Sequence, residues 1–150
     1  MIYICDIDST IANGDHRLHH IQTEPKNWDA YHAACDLDTP IEAMCAVISC
    51  LLFGGHTVYF VTGRHEGIRD ETSAWLRRAF MLPLSAGKVA LFMRPEGDWR
   101  PDYEIKREWY ESLTDEERAD IAMVFEDRTQ VVRMWRDLGL TVAQVADGDY

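Results

Sequence analysis

The sequence predicts an α/β fold, with a central parallel sheet, helices on both of its faces and a small helical insert after the first strand. Three observations carry the prediction. Short apolar runs alternate with stretches of helical apolar spacing. Several of the apolar runs lead straight into polar residues. One segment, 12–39, breaks the alternation.

Residues 2–5 read as a short buried strand running into Asp6 and Asp8. Residues 40–53 read as a helix with Pro40 in its first turn and Ile41, Met44, Val47, Ile48, Leu51 and Leu52 on one face, stopped by Gly54-Gly55. Residues 58–61 form a second strand entering Thr62-Gly63-Arg64. A helix over 66–79 carries Trp75 and Leu76, a strand follows at 88–93, and a helix lies around 103–113. Residues 121–125 make a fourth strand leading into Glu126-Asp127. A helix over 129–138 ends at Gly139, and 141–145 form the last strand. Asp115-Glu116-Glu117 reads as a solvated helix start and Arg77-Arg78 as a wet face. The insert, with Trp28, Tyr31 and His32 on one side, falls over the C-terminal ends of the strands. Open parallel sheets bind their ligands there, so a lid is one reading and a packed surface helix the other.

At 150 residues the chain is the size of one domain, and its 47% apolar and 11% aromatic content fits an ordinary globular core. No apolar run is long enough for a membrane span, and residues 1–6 carry no basic region or cleavage signal, so export is not expected. A net charge of −11, from 26 acidic and 15 basic side chains, argues against an extended grip on nucleic acid. A single phosphate needs only a local positive pocket. Cys5, Cys35, Cys45 and Cys50 lack CxxC spacing, so reduced cysteines in a cytoplasmic protein are expected.

The chemistry is read from the strand ends. In a parallel sheet Asp6/Asp8, Thr62/Arg64 and Glu126/Asp127 converge on one edge. Four close carboxylates repel unless a cation sits among them, and all-oxygen ligation by Asp6, Asp8, Glu126 and Asp127 suits Mg2+. Asp6 is placed to attack phosphorus, splitting one displacement into two through an aspartyl-phosphate. Asp8 is placed to protonate the leaving alkoxide and then to activate water, which requires its pKa to be raised. Thr62 and the backbone around Ser9 and Gly63 suit the phosphoryl oxygens, and Lys106 is the candidate to offset charge on the nucleophile.

Asp6-x-Asp8-x-Thr10, Thr62-Gly63-Arg64, Lys106 and Glu126-Asp127, in that order, resemble the four motifs of the haloacid dehalogenase (HAD) superfamily of phosphohydrolases. The segment 126–135 and the ending 144–150 are similar to the 3′-phosphatase domain of phage polynucleotide kinase/phosphatases. The resemblance runs from Ile2 to Tyr150, more loosely over 18–38. It implies a three-layer Rossmann-like fold as one domain over 1–150, with a cap at about 12–39. It also implies a magnesium-dependent phosphomonoesterase of a 3′-phosphorylated polynucleotide end or nucleotide, located in the cytoplasm (the host's, for a phage-encoded chain).

Residue by residue, the resemblance makes Asp6 the nucleophile, Asp8 the acid/base, Asp127 the direct metal ligand and Glu126 its neighbour in the same site. Arg17 and Arg64 stand where that phosphatase has functional arginines, and with Ser9, Thr10, Gly63 and Asp102 they are the expected substrate-binding set. Asp102, four residues before Lys106, is placed to orient the lysine. Ser9 stands where glycine is usual, which is tolerable outside a glycine-only conformation. Glu126 replaces the first of two aspartates. No GxxxxGK[ST] loop is present, so phosphorylation of 5′ ends is not expected.

Other readings stay open. A 5′-nucleotidase or a general small-molecule phosphatase uses the same motifs, and a non-catalytic phosphate-binding module is the alternative of another class. Intact Asp6, Asp8, Lys106 and Asp127 argue against the last. His16, His19 and His20 lack the partners of a zinc site and read as a solvated or substrate-facing lid. Trp28 and Tyr31 suit either base stacking or the core of the insert.

Overall fold

The computed structural model describes residues 1–80 and 87–148. The chain opens with strand β1 (Ile2–Cys5) and turns through residues 6–12, where the amides of Thr10, Ile11 and Ala12 all point at the Ile7 carbonyl. The insert follows. It is closed at its base by two-residue strands β2 (Ala12–Asn13) and β3 (Thr39–Pro40), which pair antiparallel. Between them lie a 3-10 turn (Asp15–His20), helix α1 (Trp28–Ala33) and a second 3-10 turn (Cys35–Leu37). The small helical insert is thus present, on a ribbon that the sequence did not announce.

Helix α2 (Glu42–Phe53) and strand β4 (Thr57–His65) come next, then a 3-10 turn at 66–68 and helix α3 (Arg69–Phe80). Strand β5 (Val89–Arg94) precedes helices α4 (Asp102–Ser112) and α5 (Asp115–Asp120). Strand β6 (Ile121–Arg128), helix α6 (Thr129–Asp137) and strand β7 (Val142–Gly148) complete the described chain.

The five long strands form one parallel sheet in the order β5-β4-β1-β6-β7. Because β1 is central, successive side chains enter different cores. Cys5 packs with Ile48 of α2 and with Trp75, Leu76 and Phe80 of α3. Ile4 packs with Val131, Met134 and Trp135 of α6, against Trp109 and Tyr110 of α4. Two helical layers therefore sandwich the sheet, which is why its central strands are apolar on both faces.

Three boundaries differ from the sequence reading. Pro40 is not in the first turn of α2; it pairs with Ala12, and the helix starts two residues later. Val47, expected on the packed face, is 42% exposed. Strands β4 and β6 run on through Thr62-Gly63-Arg64 and Glu126-Asp127, because β5 and β7 continue to pair beside them. The motif residues therefore sit on strand backbone rather than on free loops. Asp115-Glu116-Glu117 does open a helix, with Thr114 and Glu117 forming a reciprocal capping box.

Candidate active site

At the carboxyl edge of the sheet, the turn that follows β1 supplies Asp6 and Asp8, β4 supplies Thr62, Gly63 and Arg64, and β6 supplies Glu126 and Asp127. Helix α4 contributes Asp102 and Lys106, and the first turn of the insert contributes Arg17. These residues form two adjoining clusters of opposite character.

The first cluster surrounds Lys106. Its ammonium lies 2.7 Å from Asp6 Oδ1, 2.8 Å from Glu126 Oε2 and 3.2 Å from Asp102 Oδ2, one carboxylate for each N–H. All four groups are buried. Burial alone would discharge the lysine, but Asp102, Asp6 and Glu126 outweigh it and hold its pKa well above the ordinary value. Burial pushes the Asp6 carboxyl well up, and Glu126 beside it adds to the effect against the opposing Lys106. Burial likewise lifts Glu126 to about 7, with Lys106 opposing.

Oxygen atoms of Asp6, Glu126 and Asp127 lie within 4.8 Å of one another. This all-carboxylate set, held against its own repulsion, fits a hard divalent cation such as Mg2+. The longer arm of Glu126 folds back, so that Oε1 accepts the amides of Asp127 and Arg128, each at 3.2 Å.

The second cluster surrounds Asp8, and here the structure departs from expectation. The Asp8 carboxylate does not join the other three. It accepts Arg64 Nη2 at 2.7 Å, Arg64 Nε at 3.0 Å and Arg17 Nη2 at 2.5 Å. Burial would raise its pKa, but Arg64 and then Arg17 outweigh that and hold it at about 2. The raised pKa that an acid role requires is therefore absent in this state, because two guanidiniums favour the charged form.

Four further residues are placed as follows. Thr62 is buried, and its Oγ1 accepts the Arg64 amide at 3.2 Å. A Cβ on Gly63 would stand 2.8 Å from Asp102 Oδ1, so glycine is what lets β4 run flush against α4. Ser9 has φ of +61°, the left-handed region where glycine is favoured. Thr10, expected to face substrate, is fully buried, and its hydroxyl finds no partner.

Sequence reasoning missed two residues. Arg94, at the end of β5, donates to the Gly63 carbonyl at 3.0 Å and lies 3.3 Å from Asp102 Oδ1. Looking for polar residues at strand ends, the rule that singled out β1, β4 and β6, would have found it. Asp38, at the end of the insert, accepts from Arg17, Arg64 and His16, and no local pattern marks it. Elsewhere on the insert, Arg17 lies over the Tyr31 ring at 4.2 Å, and Trp28, 41% exposed, stacks on His32. All four cysteines are free, and Cys50 alone is exposed. Among the described residues no helix is long and apolar enough to cross a membrane. The end of the tail, Asp149 and Tyr150, lies outside the described residues.

Comparison with known proteins adds lineage to this geometry. The family of phosphatase domains of the polynucleotide kinase PNKP matches residues 1–150. A putative bifunctional polynucleotide kinase/RNA ligase of Autographa californica nuclear polyhedrosis virus is 28% identical over 98% of the chain. A chain of the Pnkp1/Rnl/Hen1 complex superposes with a TM-score of 0.80 at 28% identity over 99% of the chain. The class C acid phosphatase of Bacillus anthracis superposes at 0.65 with 15% identity, which shows the shared fold alone. The chain spans 19% of the viral relative and 47% of the Pnkp1/Rnl/Hen1 chain.

Proposed function

The chain belongs to the family of PNKP phosphatase domains, and from that premise we propose that it is a magnesium-dependent phosphomonoesterase removing a 3′-phosphate from a polynucleotide end or a nucleotide. One observation carries the reading. Asp6 and Asp8 leave the same strand into opposite settings, one among carboxylates and a lysine, the other between two arginines. That separation gives two aspartates two jobs.

Asp6 is the nucleophile, and its attack on phosphorus forms an aspartyl-phosphate and releases the substrate alkoxide. Lys106, 2.7 Å away, lowers the charge that an incoming phosphate meets. Asp6, Glu126 and Asp127 would hold the magnesium ion, which would supply charge neutralisation for the phosphoryl group. Arg17 and Arg64 bind phosphoryl oxygens in the geometry guanidinium groups favour. Substrate that draws them off Asp8 removes the charges that keep it ionised, so its carboxyl takes up a proton from solvent and delivers it to the leaving oxygen. Asp8 then takes a proton from the water that attacks phosphorus, which breaks the Asp6–phosphorus bond and releases phosphate. Thr62 and the backbone at Ser9 and Gly63 complete the phosphoryl cradle. Asp102 orients Lys106 from one helical turn away.

The test compares phosphate release from a 3′-phosphorylated oligonucleotide, a 3′-mononucleotide and a 5′-mononucleotide, with and without chelator. Chelator-sensitive release from the 3′ esters is expected. A preference for the 5′ ester would make the protein a 5′-nucleotidase, and no release from any of them would sink the enzymatic reading. Asp6→Asn should keep the fold and lose turnover by at least about a thousandfold, as loss of a nucleophile does. Wild-type rates in that variant would refute the assignment.

A further inference from the structure

The two arginines share two carboxylates that differ in access. Asp8 has a side chain 36% exposed, whereas that of Asp38 is fully sealed. Asp38 Oδ1 accepts Arg17 Nε at 2.8 Å and His16 Nε2 at 2.9 Å; Oδ2 accepts Arg17 Nη2 at 2.8 Å and Arg64 Nη2 at 2.6 Å. Four donors fill the acceptor sites of one carboxylate. Asp38 is itself anchored, since its carbonyl accepts the indole N–H of Trp75 on α3 at 2.7 Å.

The guanidiniums, by contrast, are not filled. Arg64, 2% exposed, has an Nη1 without an acceptor, and Arg17 Nη1 reaches only the Tyr31 carbonyl at 3.5 Å. A buried donor left unpaired costs about 1–3 kcal/mol, so these edges await an oxygen-rich anion.

Resting on the phosphatase reading above, we propose that Asp38 is a positioning residue: the permanent counter-ion that fixes Arg17 and Arg64, so that phosphate oxygens replace Asp8 without the guanidiniums turning. An anion can compete for donors held by a reachable carboxylate, but not for those held by a sealed one. Asp38 also joins an arginine of the insert to an arginine of β4, so it sets the spacing between them. A fixed spacing matters because binding and rate depend on sub-ångström placement.

The experiment uses Asp38→Asn, which keeps the shape but turns an acceptor into a donor facing arginine N–H groups. Inorganic phosphate binding is read by calorimetry with magnesium present, alongside KM and kcat on a 3′-phosphorylated oligonucleotide and thermal unfolding. Phosphate affinity should fall at least about tenfold, with KM rising in parallel and kcat changing less, all measured well below the melting temperature. Asp38→Glu, which keeps the charge and displaces it by one methylene, should move affinity and KM the same way and is decisive if the asparagine variant does not fold. A lowered melting temperature with phosphate affinity and KM within twofold of wild type would make Asp38 a structural tie and overturn the proposal. A wild-type chain that binds no phosphate would overturn it as well. Wild-type chain that binds phosphate yet hydrolyses no ester would refute the activity, while Asp38 would stand or fall on the affinities alone.

Discussion

Ser9 holds φ at +61° between Asp8 and the buried Thr10, with its amide donating to the Ala12 carbonyl at 2.8 Å. A side chain in that conformation costs about 1–2 kcal/mol relative to glycine. The turn persists because the Asp8–Ala12 bridge and the bonds to the Ile7 carbonyl hold it from both sides. Ser9→Gly should therefore raise the melting temperature by roughly 2–4 °C, the shift that about 1 kcal/mol produces in a domain of this size, with phosphate release retained. A melting temperature that stays level or falls would show that contacts of the serine hydroxyl offset the strain. Gly63 makes the opposite case. Gly63→Ala puts a methyl 2.8 Å from Asp102 Oδ1, so the carboxylate that holds Arg94 through Oδ1 and Lys106 through Oδ2 must shift. A displacement of that kind should lower kcat by about 10–100-fold in a folded protein. Unchanged kcat would show that Asp102 gives way without carrying Lys106 with it.

At the scale of elements, the strands were legible because burial on both faces leaves long apolar runs with polar ends. Ile2, Ile4 and Cys5 announce β1, and Val124 and Phe125 announce β6. Their ends delivered Asp6, Asp8, Glu126 and Asp127, and ordered motifs added Lys106 and Arg64. Pairing across the chain was not legible. Arg17 and Arg64 meet Asp38 from 21 and 26 residues away, and no periodicity encodes that distance. The arginine grip on Asp8 was missed for the same reason: an aspartate's ionisation follows its neighbours in space. Nor did the pattern show that Pro40 closes a ribbon, since a two-residue pairing has no period. The insert was legible only as an interruption, yet it carries an exposed aromatic surface. Trp28 leaves an indole 41% exposed, stacked on His32 and linked through Tyr31 to Arg17. A base stacked on an aromatic ring contributes about 1–3 kcal/mol. Trp28→Ala should therefore raise KM for a 3′-phosphorylated oligonucleotide roughly 5–150-fold while leaving p-nitrophenyl phosphate within twofold. Equal effects on both esters would confine Trp28 to packing the insert.

Across the whole molecule, the net charge of −11 gathers at its most costly point where Asp6, Glu126 and Asp127 meet. Lys106 is a buried cation bonded to Asp6 and Glu126, and it already serves Asp102 too. The sign of the pH dependence follows. Glu126 is raised from 4.5 to about 7 in the folded chain, and Asp6 moves the same way, so the folded state binds protons more tightly than the unfolded one. That contribution to stability is full below pH 4.5 and is lost as pH rises through about 7. His32, whose pKa burial lowers from 6.5 to about 4, has the opposite sign between those values. The comparison is therefore made in a His32→Gln background, where chelated protein should melt lower at pH 8 than at pH 5.5. Magnesium reverses the trend because ionised carboxylates are its ligands and it binds only where folding brings them together. At a hundred times its dissociation constant a ligand contributes about 2.7 kcal/mol, so magnesium at pH 8 should raise the melting temperature by roughly 5–10 °C. The rise should shrink at pH 5.5, where protons occupy the same oxygens. Thermal unfolding at the two pH values, with magnesium and with chelator, checks both signs at once. An equal rise at both would mean that magnesium acts away from these carboxylates, and chelated protein more stable at pH 8 would overturn the assignment of raised affinity for protons to Glu126 and Asp6.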